Sequence, residues 1–66
     1  MNILDFISHI KHNSLSLEIR GMKDKLLYSG DVGSYKHSVA KEKLNKKTIV
    51  CVIPEDNLLS IVVEGG

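Results

Sequence analysis

The sequence predicts a small α+β domain in the order α-β-β-α-β-β, with a four-stranded antiparallel sheet and one N-terminal helix packed on it. Three observations carry that prediction. Apolar residues recur at helical spacing near the N-terminus, at Ile3, Leu4, Ile7 and Ile10. Leu15, Leu17 and Ile19 alternate strictly with Ser16, Glu18 and Arg20, which is the pattern of a strand with one wet face. Near the C-terminus, two β-branched runs, residues 48–53 and 58–63, flank Pro54-Glu55-Asp56-Asn57. Those four residues have turn chemistry, so the segment reads as a hairpin.

Each element follows from its residues. Asn2 can cap the first helix, and Asp5 sits in its first turn, where a carboxylate favours the helix dipole. Lys11 and His12 fall near its end, so two to three turns are expected. Gly21-Met22-Lys23-Asp24 breaks the first strand, and Lys25-Leu26-Leu27-Tyr28-Ser29 returns as the second. Gly30-Asp31-Val32-Gly33-Ser34 reads as loop. Ser34 or Ser38 then caps one or two helical turns that end near Asn45, with Val39, Ala40 and Leu44 facing inward. Every hairpin is antiparallel, so the whole sheet is expected to be. Gly65-Gly66 is expected to fray.

The 66 residues make one domain, 1–66. A chain this short buries only about 60% of its unfolded surface, and because self-association adds burial, a homodimer or larger oligomer is expected. The single cysteine, Cys51, rules out an intrachain disulfide and points to a reducing cytoplasm. The first residues lack a basic region followed by a long apolar core, so no signal peptide is expected. The longest apolar run, residues 49–53, is too short for a bilayer. A net charge of +1 gives no strong global pull toward nucleic acid or membrane.

Candidate chemistry is sparse. His9 and His12 could share a metal from one helix face, with His37 or Asp31 as a third ligand, but two solvated histidines at a helix end is the simpler reading. Cys51 lies between Val50 and Val52, where a thiol behaves as a small core hydrophobe. Gly30 to Ser34 lacks the spacing of a phosphate loop. Glu18 with Asp24, or Glu55 with Asp56, sits in turns or on a wet strand face, without the desolvated pocket that acid–base chemistry needs. The chain is therefore expected not to be an enzyme and to need no cofactor or metal. Lys36, Lys41, Lys43, Lys46 and Lys47 form a basic segment that could hold nucleic acid or another anion. One arginine and few aromatics argue for a solvated face instead.

Residues 27–32 together with 49–61 resemble short uncharacterised proteins encoded by phages and mobile elements of Firmicutes. The likeness lies in strand and turn types. It implies a class, small inhibitors of host machinery including anti-CRISPR and other anti-defence proteins, and assigns no residues.

The last hairpin carries the strongest functional expectation. The alternation places Ile49, Cys51, Ile53, Leu59, Ile61 and Val63 in the core with Leu17, Ile19 and Leu27. It leaves Val50, Val52, Leu58 and Val62, with Leu26 and Tyr28, on a second face that no helix is available to cover. An apolar patch of that size marks this face, or the edge strand beside it, as an interface for self-association or for a target. The expected function is a non-enzymatic protein-binding module that docks on a host protein through those six residues. The alternative is a nucleic-acid or anion binder using the lysines.

Overall fold

A computed structural model of the chain describes residues 1–64, and Gly65-Gly66 lie outside the described residues. In chain order the elements are α1 (Ile3–Ser8), β1 (Ser16–Gly21), β2 (Leu26–Asp31), α2 (Val32–Lys36), α3 (Lys41–Leu44), β3 (Ile49–Glu55) and β4 (Leu58–Val63). The α+β class is as expected, and the sheet is four-stranded in the order β2-β1-β4-β3.

The expectation of a purely antiparallel sheet is corrected. Each hairpin is antiparallel within itself, but β1 and β4 run parallel at the centre, from Ser16 opposite Leu58 to Gly21 opposite Val63. Parallel neighbours need a long crossover, and residues 32–48 with α2 and α3 provide one. They carry the chain past β1 to the far edge, so β4 returns beside β1 in the same direction.

The core lies on one side of this sheet. Leu17 and Ile19 from β1 and Ile61 and Val63 from β4 are fully buried. They pack with Ile3 and Ile7 of α1, Val32 and Tyr35 of α2, and Leu44 of α3. The helices all contribute to this cluster, which leaves the opposite sheet face without a helix.

Local chemistry sets the helix ends. Asn2 caps α1 as expected, its side-chain oxygen accepting from the Asp5 N–H at 2.8 Å. The helix is shorter than expected and stops at Ser8, where the Ile10 N–H bonds back to Ile7 O at 3.0 Å and tightens the chain into a turn. The cap of α2 is Asp31 rather than Ser34: its carboxylate accepts from the Ser34 N–H at 2.6 Å. The helix therefore begins at Val32, inside the segment expected to be loop. Because α2 ends at Lys36, Val39 does not continue the Tyr35 stripe. Val39 is 81% exposed, contrary to expectation, while Ala40 and Leu44 pack inward.

Two irregularities decide which side chains face which way. Between β1 and β2, Ile19 pairs with Tyr28 but Arg20 pairs with Leu26, so Leu27 is an extra residue. Between β3 and β4, Ile49 pairs with Val63 but Cys51 pairs with Val62, so Val50 is extra. One extra residue moves everything beyond it to the other face. The expected faces of Tyr28, Val52, Cys51 and Ile53 are therefore reversed. Tyr28 and Val52 pack against the core, whereas Cys51 is exposed and Ile53 is 51% exposed. Tyr28 meets the Tyr35 ring edge-on, with centroids 5.2 Å apart and planes at 81°.

The final turn is tighter than expected. Pro54 stays in β3 opposite Leu59, and Glu55 pairs with Leu58, leaving Asp56-Asn57 as a two-residue loop. Asn57 has a φ of 62°, a left-handed conformation that asparagine tolerates better than most residues.

Candidate functional site

The helix-free sheet face is built from three cross-strand rows given by the registers. The first is Leu26, Arg20, Val62 and Cys51. The second is Ser29, Glu18, Ser60 and Ile53. The third is Asp31, Ser16, Leu58 and Glu55. The face is divided. On the β2–β1 half, Arg20 holds Glu18 at 3.1 Å and Asp24 at 3.3 Å. The β4–β3 half is mainly apolar, with Cys51, Ile53, Leu58 and Val62. Val50, at the bulge, is 48% exposed, and Leu26, across the face on β2, is 49% exposed.

Of the six residues expected to form a docking surface, Leu26, Val50, Leu58 and Val62 remain available to it. Tyr28 and Val52 turn to the core side, and Cys51 and Ile53 replace them. A signal for this exchange was present in the hairpin. A loop with an even number of residues pairs even-numbered positions of β3 with odd-numbered positions of β4, and partners share a face. Ile61 is inward, so its partner Val52 must be inward too. The apolar run from 49 to 53, β-branched except at Cys51, hides the bulge, because each of its side chains tolerates either environment.

One end of the open face holds a shallow depression of about 590 Å³, lined by Ser16, Glu18, Ser29, Asp31, Asp56 and Leu58 among others. It is rich in hydroxyls and carboxylates. Hydrogen bonds from Ser34, first its backbone N–H and then its side chain, hold the Asp31 carboxyl below its ordinary range. Asp31 is thus occupied as a helix cap, and Glu18 is occupied by Arg20. Among the described residues, no group of three or more His, Cys, Asp or Glu is placed to hold a metal ion. His9 has Nδ1 2.6 Å from Asp5 O, and His12 has Nδ1 3.4 Å from the Ser14 hydroxyl.

The basic segment is divided as well. The Lys36 ammonium donates to Ile10 O and to Asn13 Oδ1, both at 3.0 Å. Lys41 donates to Lys36 O at 2.9 Å. Lys36 thus ties α2 to the chain just past α1, Lys41 ties the start of α3 to the end of α2, and both line, with Leu4, Ile7, Tyr35 and Asn45, a crevice of about 220 Å³ on the helical side. Lys43 and Lys46 are exposed and Lys47 is half-buried. Two of the five lysines, Lys36 and Lys41, thus have partners within the chain. Beside this crevice the Tyr35 hydroxyl donates to Asn45 Oδ1 at 2.8 Å. Burial, with a smaller contribution from Tyr28, pushes the Tyr35 pKa up to about 12.

No helix among the described residues is long and apolar enough to cross a membrane. Compared with known proteins, the chain matches no protein family, no curated protein and no solved structure.

Proposed function

We propose that this chain is a non-enzymatic protein-binding module that docks on a host protein through its helix-free sheet face, in the manner of small phage-type inhibitors of the anti-defence class. One observation carries the reading. Leu26, Val50, Cys51, Ile53, Leu58 and Val62 gather at or beside the face that no helix covers, while the chain's own helices seal the opposite face. The resemblance to phage and mobile-element proteins supplies the class of target. The module acts by occupying a surface of its target in the host cytoplasm, and it has no chemistry of its own.

The energetics suit that role. Fully burying an isoleucine is worth ~1.5–3 kcal/mol, and about half of the Ile53 surface is still open to be covered. Docking would therefore recover about 1 kcal/mol from Ile53, with similar amounts from Val50 and Leu26. The Glu18–Arg20–Asp24 cluster beside this patch supplies a polar rim.

The test is a phage-challenge assay on bacterial strains carrying different CRISPR and other defence systems. Expression of the chain should restore plaques on at least one strain. Ile53→Lys, which alters an exposed position, should fold normally and lose that effect. Failure of the unaltered chain on every strain would remove the anti-defence reading. Equal restoration by folded Ile53→Lys would remove the sheet face as the docking site.

A further inference from the structure

We propose that the crevice among α1, α2 and α3 binds a small monocarboxylate with a compact apolar body. The crevice holds about 220 Å³, less than pockets for drug-sized ligands, so its occupant is small. It lies on the helical side of the sheet, opposite the docking face, and its role does not depend on the function of that face.

The helices place an apolar base beside two cations. Leu4 and Ile7 are three apart on α1 and share one face of that helix. Ile7 is 3% exposed and Tyr35 of α2 is 1% exposed, so they form the base of the crevice. Leu4 is 52% exposed and leaves apolar surface uncovered at the wall. Lys36 ends α2 and Lys41 begins α3, and the side chains of both reach the crevice.

The charge there is unbalanced. An ammonium group has three N–H donors. Lys36 uses two, on Ile10 O and Asn13 Oδ1, and Lys41 uses one, on Lys36 O. All three acceptors are neutral oxygens. They fix the positions of the ammonium groups without cancelling their charge, and they leave one N–H of Lys36 and two of Lys41 for another acceptor. Among the described residues neither lysine meets a carboxylate, because the ion pairs of Glu18 and Asp24 go to Arg20. No Asp or Glu lines the crevice. Both lysines are half-buried, and partly buried charges are screened less than exposed ones. Asn45 adds further donors. Its Oδ1 accepts from the Tyr35 hydroxyl at 2.8 Å, which leaves its amide N–H groups for a ligand.

Donors and positive charge without an acid select an anion, and the apolar base selects among anions. Inorganic phosphate has no apolar part to set against Leu4, Ile7 and Tyr35. A carboxylate accepts charge-assisted hydrogen bonds from the lysines, while a ring or short alkyl chain behind it covers the exposed surface of Leu4. Lys43 and Lys46 do not line the crevice and are exposed, so they serve as controls.

An NMR titration of the isotopically labelled chain at constant ionic strength tests the site, with sodium benzoate and sodium hexanoate as probes. Both should give saturable amide shifts at Leu4, Ser8, Lys41 and Asn45, with a Kd on the order of 1 mM for ligands of so few atoms. Benzyl alcohol lacks the charge, and acetate and inorganic phosphate lack the apolar body, so each should bind far more weakly. Lys41→Gln removes the charge and keeps a donor for Lys36 O. It should weaken benzoate by about fivefold or more, whereas Lys43→Gln should leave the affinity unchanged. No saturable shift with benzoate would overturn the proposal. So would equal affinity for benzyl alcohol, which would make the crevice purely apolar, or equal affinity for phosphate, which would make it a plain anion site. Equal weakening by Lys43→Gln would reduce the effect to diffuse charge and overturn it as well. If Lys41→Gln fails to fold, the ranking of benzoate against benzyl alcohol and phosphate decides.

Discussion

Replacing Tyr35 with phenylalanine separates the ring's packing from its hydroxyl. The ring is 1% exposed and keeps its edge-on contact with Tyr28 in the variant. What is lost is the hydrogen bond to Asn45 Oδ1 at 2.8 Å, which links α2 to the end of α3. A net hydrogen bond is worth about 1 kcal/mol. Asn45 is half-buried, so water can reach part of the orphaned oxygen, which holds the cost near that value. For a domain this small, ~1 kcal/mol lowers Tm by ~4–8 °C. At high pH the order reverses. The folded-state pKa of Tyr35 is raised from 10.0 to about 12, so the folded chain keeps a proton that the unfolded chain has already lost. Stability from this group is fully present below pH 10 and is lost as pH rises to about 12, by on the order of 2–3 kcal/mol. Urea unfolding at neutral pH should therefore find Tyr35→Phe the weaker protein, and the two stability curves should cross between pH 10 and 12. If the two curves run parallel through that range, the hydroxyl is not the buried, proton-retaining group described here.

Two further substitutions probe the sheet. A Cβ on Gly30 would lie 2.7 Å from the Tyr28 hydroxyl oxygen and 3.1 Å from its ring carbon, so Gly30→Ala must push Tyr28 off Tyr35. A loss of ~1–3 kcal/mol is expected by thermal melting, with a change in near-ultraviolet dichroism; an unchanged aromatic signal would contradict that packing. The bulge at Val50 is tested by Cys51→Lys against Val52→Lys. The first places a charge on the open face and should change stability by less than about 0.5 kcal/mol. The second sets it against the core side and should cost roughly 2 kcal/mol or more. The opposite ranking would restore unbroken alternation along β3.

Elements were more legible than their arrangement because elements are specified by near neighbours. The Asn2 cap, the alternation of Leu17 and Ile19, and the turn after Pro54 each act within a few residues of themselves. The α2 cap was misread because Asp31 and Ser34 both suit that role, and only the burial of Val32 selects the earlier start. The candidate surface was half legible. Leu58 and Val62 face outward by simple alternation in β4, where no bulge intervenes. Cys51 and Ile53 do so only because Val50 is extra.

Composition and periodicity alone determined a single α+β domain, two hairpins and an apolar excess in the last of them. Only the tertiary structure decided that β1 and β4 lie parallel, which residues of β3 face solvent, and that Lys36 and Lys41 are spent on main-chain carbonyls. The reason is that strand partners, bulges and lysine contacts are settled by residues distant in sequence. An unbroken apolar run such as residues 49–53 is equally content on either side of a sheet until its partner strand fixes the register.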